Sequence, residues 1–140
     1  MQVLYTAEAI AVGEGRNGEV RTSDGVIDEQ LSMPKELGGP GGDKTNPEQL
    51  FAAGYAACFH SALKAAARQA KVKLGETTVT VKVDLGRNGD GGFQLAVELV
   101  AHLPGLERAE AERLTAAADL LCPYSNATRG NIEVALTTTV

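Results

Sequence analysis

The residues of this chain best suited to chemistry are two thiols. Cys58 and Cys122 are its only cysteines, and a cysteine can be a small core hydrophobe, a metal ligand, a nucleophile or half of a redox pair. With His60 and His102 the count would suit zinc. However, Cys58 and His60 stand two apart in a helical stretch and so point away from each other. The same geometry removes His60 as a base for Cys58. A cysteine hydrolase would then have only His102 to call on, at a strand end with no supporting motif. No C-x-x-C is present, which excludes thioredoxin-type chemistry. Cys122 lies in L-L-C-P-Y-S-N-A-T-R-G-N. If Pro123 opens a helical turn there, backbone N–H groups at its start favour a thiolate and make Cys122 a good partner for disulfide exchange. Arg16 in a glycine-rich turn and Glu48 in the first turn of a helix can be read as a solvated arginine and a carboxylate complementing the helix dipole. Both also stand beside loop backbone able to set them against a core.

The element that must position Cys58 runs from Asn46 to Lys71, N-P-E-Q-L-F-A-A-G-Y-A-A-C-F-H-S-A-L-K-A-A-A-R-Q-A-K. Asn46 is a suitable N-cap, Pro47 fits the first helical position, and Gln49 completes a capping box. From Leu50 to Phe59 the helix is apolar on nearly every face, which predicts burial. Its small residues would let another backbone approach closely. Upstream, Val3–Ala11, Glu19–Ser23 and Ile27–Met33 read as strands, the first two joined by a glycine-rich turn that ends in Asn17-Gly18, a hairpin signal. Pro34–Thr45 is a loop, and Gly75 closes the helical region. Alternation at Val79, Val81, Val83, Leu85 and again at Phe93, Leu95, Val97, Leu99 predicts a hairpin with a roomy tip. Leu106, Leu114, Ala117, Ala118 and Leu121 mark a second helix, ended or bent by Pro123, and Ile132, Val134 and Leu136 mark a last strand. The order βββ-α-ββ-α-β is that of an α+β fold with mainly antiparallel pairing around a long central helix.

A chain of 140 residues suffices for one domain spanning 1–140. With 44% hydrophobic and 22% charged residues it fits a soluble globular class. A net charge of -5 without a basic cluster argues against nucleic acid. The N-terminus lacks the pattern of a signal peptide, and no stretch reaches the roughly 20 apolar residues of a membrane span. The expected compartment is the cytoplasm, where paired cysteines are seldom structural staples.

The segments G-R-N-G, N-P-E-Q-L-F-A-A-G-Y-A-A-C-F and C-P-Y-S-N-A-T-R-G-N together resemble the organic hydroperoxide resistance (Ohr) branch of the OsmC/Ohr family. The likeness covers essentially the whole chain, and the last segment favours Ohr over its OsmC sister. The resemblance implies an intertwined homodimer with active sites at the subunit interface. It implies a thiol-dependent peroxidase for alkyl and fatty-acid hydroperoxides, with Cys58 peroxidatic, Cys122 resolving, and Arg16 and Glu48 positioning and activating the thiolate. It also implies no metal or other bound cofactor, and re-reduction by an external dithiol such as a lipoylated protein. The alternatives are an OsmC-type osmotically inducible peroxidase and a non-catalytic redox-sensing or lipid-binding module.

The implied roles raise a geometric question. Ten helical residues separate Glu48 from Cys58, a rise of about 15 Å, which is too long for one arginine to touch both on a straight helix. Either the helix breaks between them, or the Glu48 at each site belongs to the other subunit. The second reading is the one expected here.

Overall fold

The computed structural model describes residues 1–140. The chain forms two compact units, Met1–Leu50 and Phe51–Val140. The first contains strands β1 (Ala9–Val12), β2 (Glu19–Thr22) and β3 (Asp28–Gln30), paired antiparallel in that order. β1 is shorter than the expected Val3–Ala11, because only Ala9–Val12 finds partners on β2. The expected Asn17-Gly18 hairpin turn is replaced by a 3-10 turn over Gly15–Asn17. The positive φ angles fall on Gly13 and Gly15, while Gly18 has φ -97. A two-residue Asn-Gly turn needs positive φ at both positions. Gly18 is required for a different reason: a Cβ there would lie 2.2 Å from the Val12 carbonyl oxygen.

Helix α1 runs unbroken from Pro47 to Ala70. The Asn46 side chain accepts the Gln49 N–H at 2.8 Å, as an N-cap should. The capping box is only half formed, because the Gln49 side-chain oxygen accepts instead from the Thr45 hydroxyl at 3.1 Å. The helix ends before the expected Gly75. Lys71 takes φ 56, and Val72 N–H reaches back to the Ala67 carbonyl at 2.9 Å, closing the helix in a Schellman arrangement. Burial is confined to one stripe of α1, comprising Tyr55, Phe59, Ala62, Leu63, Ala66 and Ala67. The expectation that Leu50–Phe59 is buried on all faces does not hold for the single chain, in which Ala53 and Ala57 are exposed.

In the second unit, β4 (Thr78–Arg87) and β5 (Phe93–His102) form the expected hairpin over ten residue pairs. Helix α2 (Arg108–Leu121) and the short α3 (Pro123–Thr128) then cross over to β6 (Val134–Thr139). β6 lies parallel to β5, as such a crossover permits, and is the one parallel strand pair. Leu121, expected on the apolar face of α2, is exposed; the buried positions are Ala111, Leu114, Thr115 and Ala118. Cys122 continues that stripe one turn on and is fully buried. The core gathers the α1 stripe, Val97, Leu99, Ala101 and Leu103 of the β5 region, and the α2 stripe. No helix is long and apolar enough to cross a membrane.

Candidate active site

In the first unit, Arg16 occupies the 3-10 turn between β1 and β2. The turn is tied down by the Asn17 side chain, whose oxygen accepts the Met33 N–H at 2.9 Å. Arg16 donates both terminal nitrogens to Glu48, Nη1 to Oε2 at 2.8 Å and Nη2 to Oε1 at 2.6 Å. This is the fork-to-fork geometry that fixes orientation as well as distance. The Arg16 side chain is 33% exposed and that of Glu48 16%. Hydrogen bonding to Arg16 holds the Glu48 carboxyl below the usual carboxylate range, against burial, and the same bond raises Arg16. The pair is therefore ionised together.

In the second unit, Cys58 lies on α1 and Cys122 at the α2–α3 junction. Cys122 is at once the C-cap of α2 and the residue that opens α3, with Pro123 at the first helical position. Its N–H donates to Ala118 O at 2.9 Å, and its carbonyl accepts Asn126 N–H at 3.0 Å. The two thiols are free, and the Cys122 sulfur approaches that of Cys58 to 3.7 Å. A disulfide requires about 2.05 Å, so closure needs a movement of about 1.7 Å. Cys58 is half-buried. Burial is the main cause pushing its thiol above the ordinary range; a hydrogen bond to the Tyr124 backbone opposes this, and Cys122 adds to it.

An aromatic group flanks the thiols. Phe51 meets Tyr55 edge-on with centroids 6.0 Å apart, and Tyr124 packs on both, 6.0 Å from Phe51 and 5.6 Å from Tyr55. Gly54 leaves room for this, since a Cβ there would come within 2.7 Å of the Tyr124 hydroxyl. Phe51 also lines a cleft of about 480 Å³ with Phe93, Leu95 and Ile132. The sequence reading did not single out Tyr55 or Tyr124 as site residues. Only their position three residues before Cys58 and two after Cys122 could have raised them.

Both histidines are engaged elsewhere. His60 Nε2 bonds the Thr77 hydroxyl at 2.9 Å, and burial and Lys64 depress its pKa, so it stays neutral. His102 Nδ1 bonds Thr139 on β6 at 2.8 Å. No group of three or more His, Cys, Asp or Glu is arranged to hold a metal. The four expected residues thus form two pairs, Arg16 with Glu48 in one unit and Cys58 with Cys122 in the other. Because α1 is unbroken, a break between Glu48 and Cys58 is removed as an answer to their separation.

Residues 39–137 match the family model described as OsmC-like protein. An organic hydroperoxide resistance protein of Xanthomonas axonopodis pv. citri is 56% identical over 137 residues, covering 97% of this chain and 95% of that protein. The chain belongs to the OsmC/Ohr family, in its organic hydroperoxide resistance branch. Among solved Ohr structures, one from Elizabethkingia anophelis has a TM-score of 0.95 at 55% identity, covering 99% of each chain. Another, from Legionella pneumophila, has a TM-score of 0.95 at 52% identity, covering 99% of this chain and 100% of that one. These neighbours share the α+β architecture of two sheets and a long helix.

Proposed function

We propose that this protein is a cysteine-based peroxidase that reduces organic hydroperoxides to alcohols. The observation that carries the reading is the approach of two free thiols, one buried and one half-buried, to 3.7 Å. In the first step the Cys58 thiolate attacks the distal oxygen of ROOH. The O–O bond breaks, RO⁻ leaves and is protonated to ROH, and Cys58 becomes a sulfenic acid. In the second, the Cys122 sulfur attacks Cys58, the S–O bond breaks, and the Cys122 proton leaves with hydroxide as water. An external dithiol, of the lipoyl type, reopens the disulfide by exchange. The aromatic side of the site suits an alkyl tail.

Burial alone would keep Cys58 protonated, so the cycle needs a cation. Arg16 is that cation in this reading, with Glu48 holding its planar fork in place. The Arg16–Glu48 pair at each site comes from the second copy in a homodimer, which resolves the spacing of Glu48 and Cys58 along α1. The whole chain acts as one Ohr-like domain in a reducing compartment such as the cytoplasm.

Stopped-flow mixing of reduced protein with an alkyl hydroperoxide, followed by turnover with a dithiol, tests the reading. The wild type should turn over many times, and Cys58→Ser should lose all activity. Cys122→Ser should consume one peroxide and then over-oxidise at Cys58. A wild type that oxidises once and slowly would be a sensor instead.

A further inference from the structure

Beside the thiol contact lies a second contact between the same two elements. The Tyr55 hydroxyl is hydrogen-bonded to Ser125 Oγ at 3.0 Å and to Thr128 Oγ1 at 3.2 Å. All three side chains are buried, with residue exposures of 0%, 2% and 6%. Tyr55 stands three residues before Cys58 on α1, and Ser125 three residues after Cys122 on α3. Tyr55 and Cys58 share a face of α1, and Cys122 is the residue that opens the first turn of α3, in which Ser125 lies. The hydroxyl contact and the thiol contact are therefore neighbouring rungs between the same pair of antiparallel segments. Thr128 locks the far rung to its own helix, its one hydroxyl proton lying within reach of the carbonyl oxygens of Tyr124 at 3.1 Å and Ser125 at 3.2 Å.

We infer that Tyr55 is a positioning residue for the redox step: its hydroxyl, through Ser125 and Thr128, sets the distance between Cys58 and Cys122 and so favours disulfide closure over separated thiols. These hydroxyls are buried, so losing the rung takes from Ser125 its one side-chain hydrogen bond and from Thr128 its bond to α1, and frees α3 to shift. The thiols are one turn away and must close to bonding distance, where small misplacements are costly. In the peroxide cycle the consequence is a longer-lived Cys58 sulfenic acid and more over-oxidation by a second hydroperoxide. That consequence rests on the peroxidase reading, whereas the rung itself does not.

The closing experiment equilibrates the protein with glutathione buffers and measures the Cys58–Cys122 disulfide by mass spectrometry. In this exchange oxidised glutathione is reduced as the two thiols are oxidised, with no peroxide present. Tyr55→Phe and Ser125→Ala should each lower the disulfide-to-dithiol equilibrium constant about tenfold. The double variant should fall little further than either single one. Thr128→Ser, which keeps the oxygen, should stay near the wild-type ratio. Thr115→Val provides the structural control: it removes another buried hydroxyl, bonded to Ala111 O at 2.9 Å, and should lower the melting temperature without moving the ratio. Additive effects of Tyr55→Phe and Ser125→Ala, an unchanged ratio in either, or an equal shift in Thr115→Val would overturn the inference. If the ratios move as expected and hydroperoxides still fail to oxidise Cys58, the rung stands and the peroxidase reading falls.

Discussion

The two units solve the problem of stability in opposite ways. Residues 51–140 carry nearly the whole apolar core, from Tyr55 and Phe59 through Leu99 to Ala118 and Cys122. Residues 1–50 contribute a single buried apolar side chain, Leu31, while Val3, Leu4, Tyr5, Ile10 and Val26 are more than half exposed. All four residues of β1 are exposed. A segment of this size without a core lacks the burial that folding requires. The thiols thus sit on a framework that can hold itself together, and the ion pair on one that needs a covering surface. In the proposed dimer a second copy supplies that cover, which makes the chemistry dependent on assembly.

Stability is the most direct way to break this comparison. Leu99 is fully buried in β5, and Leu99→Ala should cost about 2–5 kcal/mol in denaturant unfolding at any protein concentration. Ile10→Ala on β1 should cost less than about 0.5 kcal/mol if the residue stays as exposed as it is in one chain. Covered by a second copy, it should cost about 1.5–3 kcal/mol and make the melting temperature fall on dilution. A small, concentration-independent effect at Ile10 would leave the first unit without its partner.

Kinetics sharpen the same contrast. Arg16→Ala should slow Cys58 oxidation about 10²–10³-fold, the usual loss when one preorganised charge is removed. Mixed dimers then report which copy supplies the charge. Cys58→Ser homodimers should be inactive, and Arg16→Ala homodimers should keep only the slow residual rate. Exchange between them should recover activity if one copy's arginine serves the other's cysteine, because such a heterodimer has one intact site. No recovery after proven exchange would return Arg16 to its own chain's Cys58.

What could be read in advance follows the same division. The α1 start, the β4–β5 hairpin and the Pro123 break were legible because local rules decide them, namely capping, alternation and the avoidance of helical backbone by the residue before a proline, here Cys122 at ψ 119. The two residue pairs came from motif resemblance, since neither periodicity nor spacing brings Arg16 to Glu48 across 32 positions. The errors lie where partners outside the segment decide. Val3–Ala7 alternates loosely but has no strand to pair with, and Glu8 gives only its carbonyl to the Ser23 N–H, so β1 starts at Ala9. Leu121 looks like a core residue, yet the helical stripe puts Cys122 inside and Leu121 out. Lys71 ends α1 because the backbone hydrogen bonds close there, although the nearest glycine lies four residues on. The Tyr55 rung was invisible because a tyrosine and two hydroxyl residues carry no signal until α1 and α3 are seen side by side.

The smallest effect expected here concerns Glu48 and pH. Its carboxyl is held below the ordinary range chiefly by the two bonds from Arg16. In the unfolded chain it titrates near the ordinary value of about 4.3. The folded state therefore binds that proton less readily, and the pair's stabilisation is fully present above the unfolded value and lost as pH falls through the lower folded one. Because Arg16 is partly exposed, screening limits the pair to about 1 kcal/mol. Glu48→Gln should thus be about 1 kcal/mol less stable than the wild type near pH 7, and the gap should shrink as the solution is acidified below about pH 4. In the same variant, Cys58 oxidation should slow less than in Arg16→Ala, because the guanidinium keeps its charge and loses only its anchor. A stability gap that widens on acidification would mean that Glu48 is protonated in the folded state, and its place as the anion beside Arg16 would have to be withdrawn.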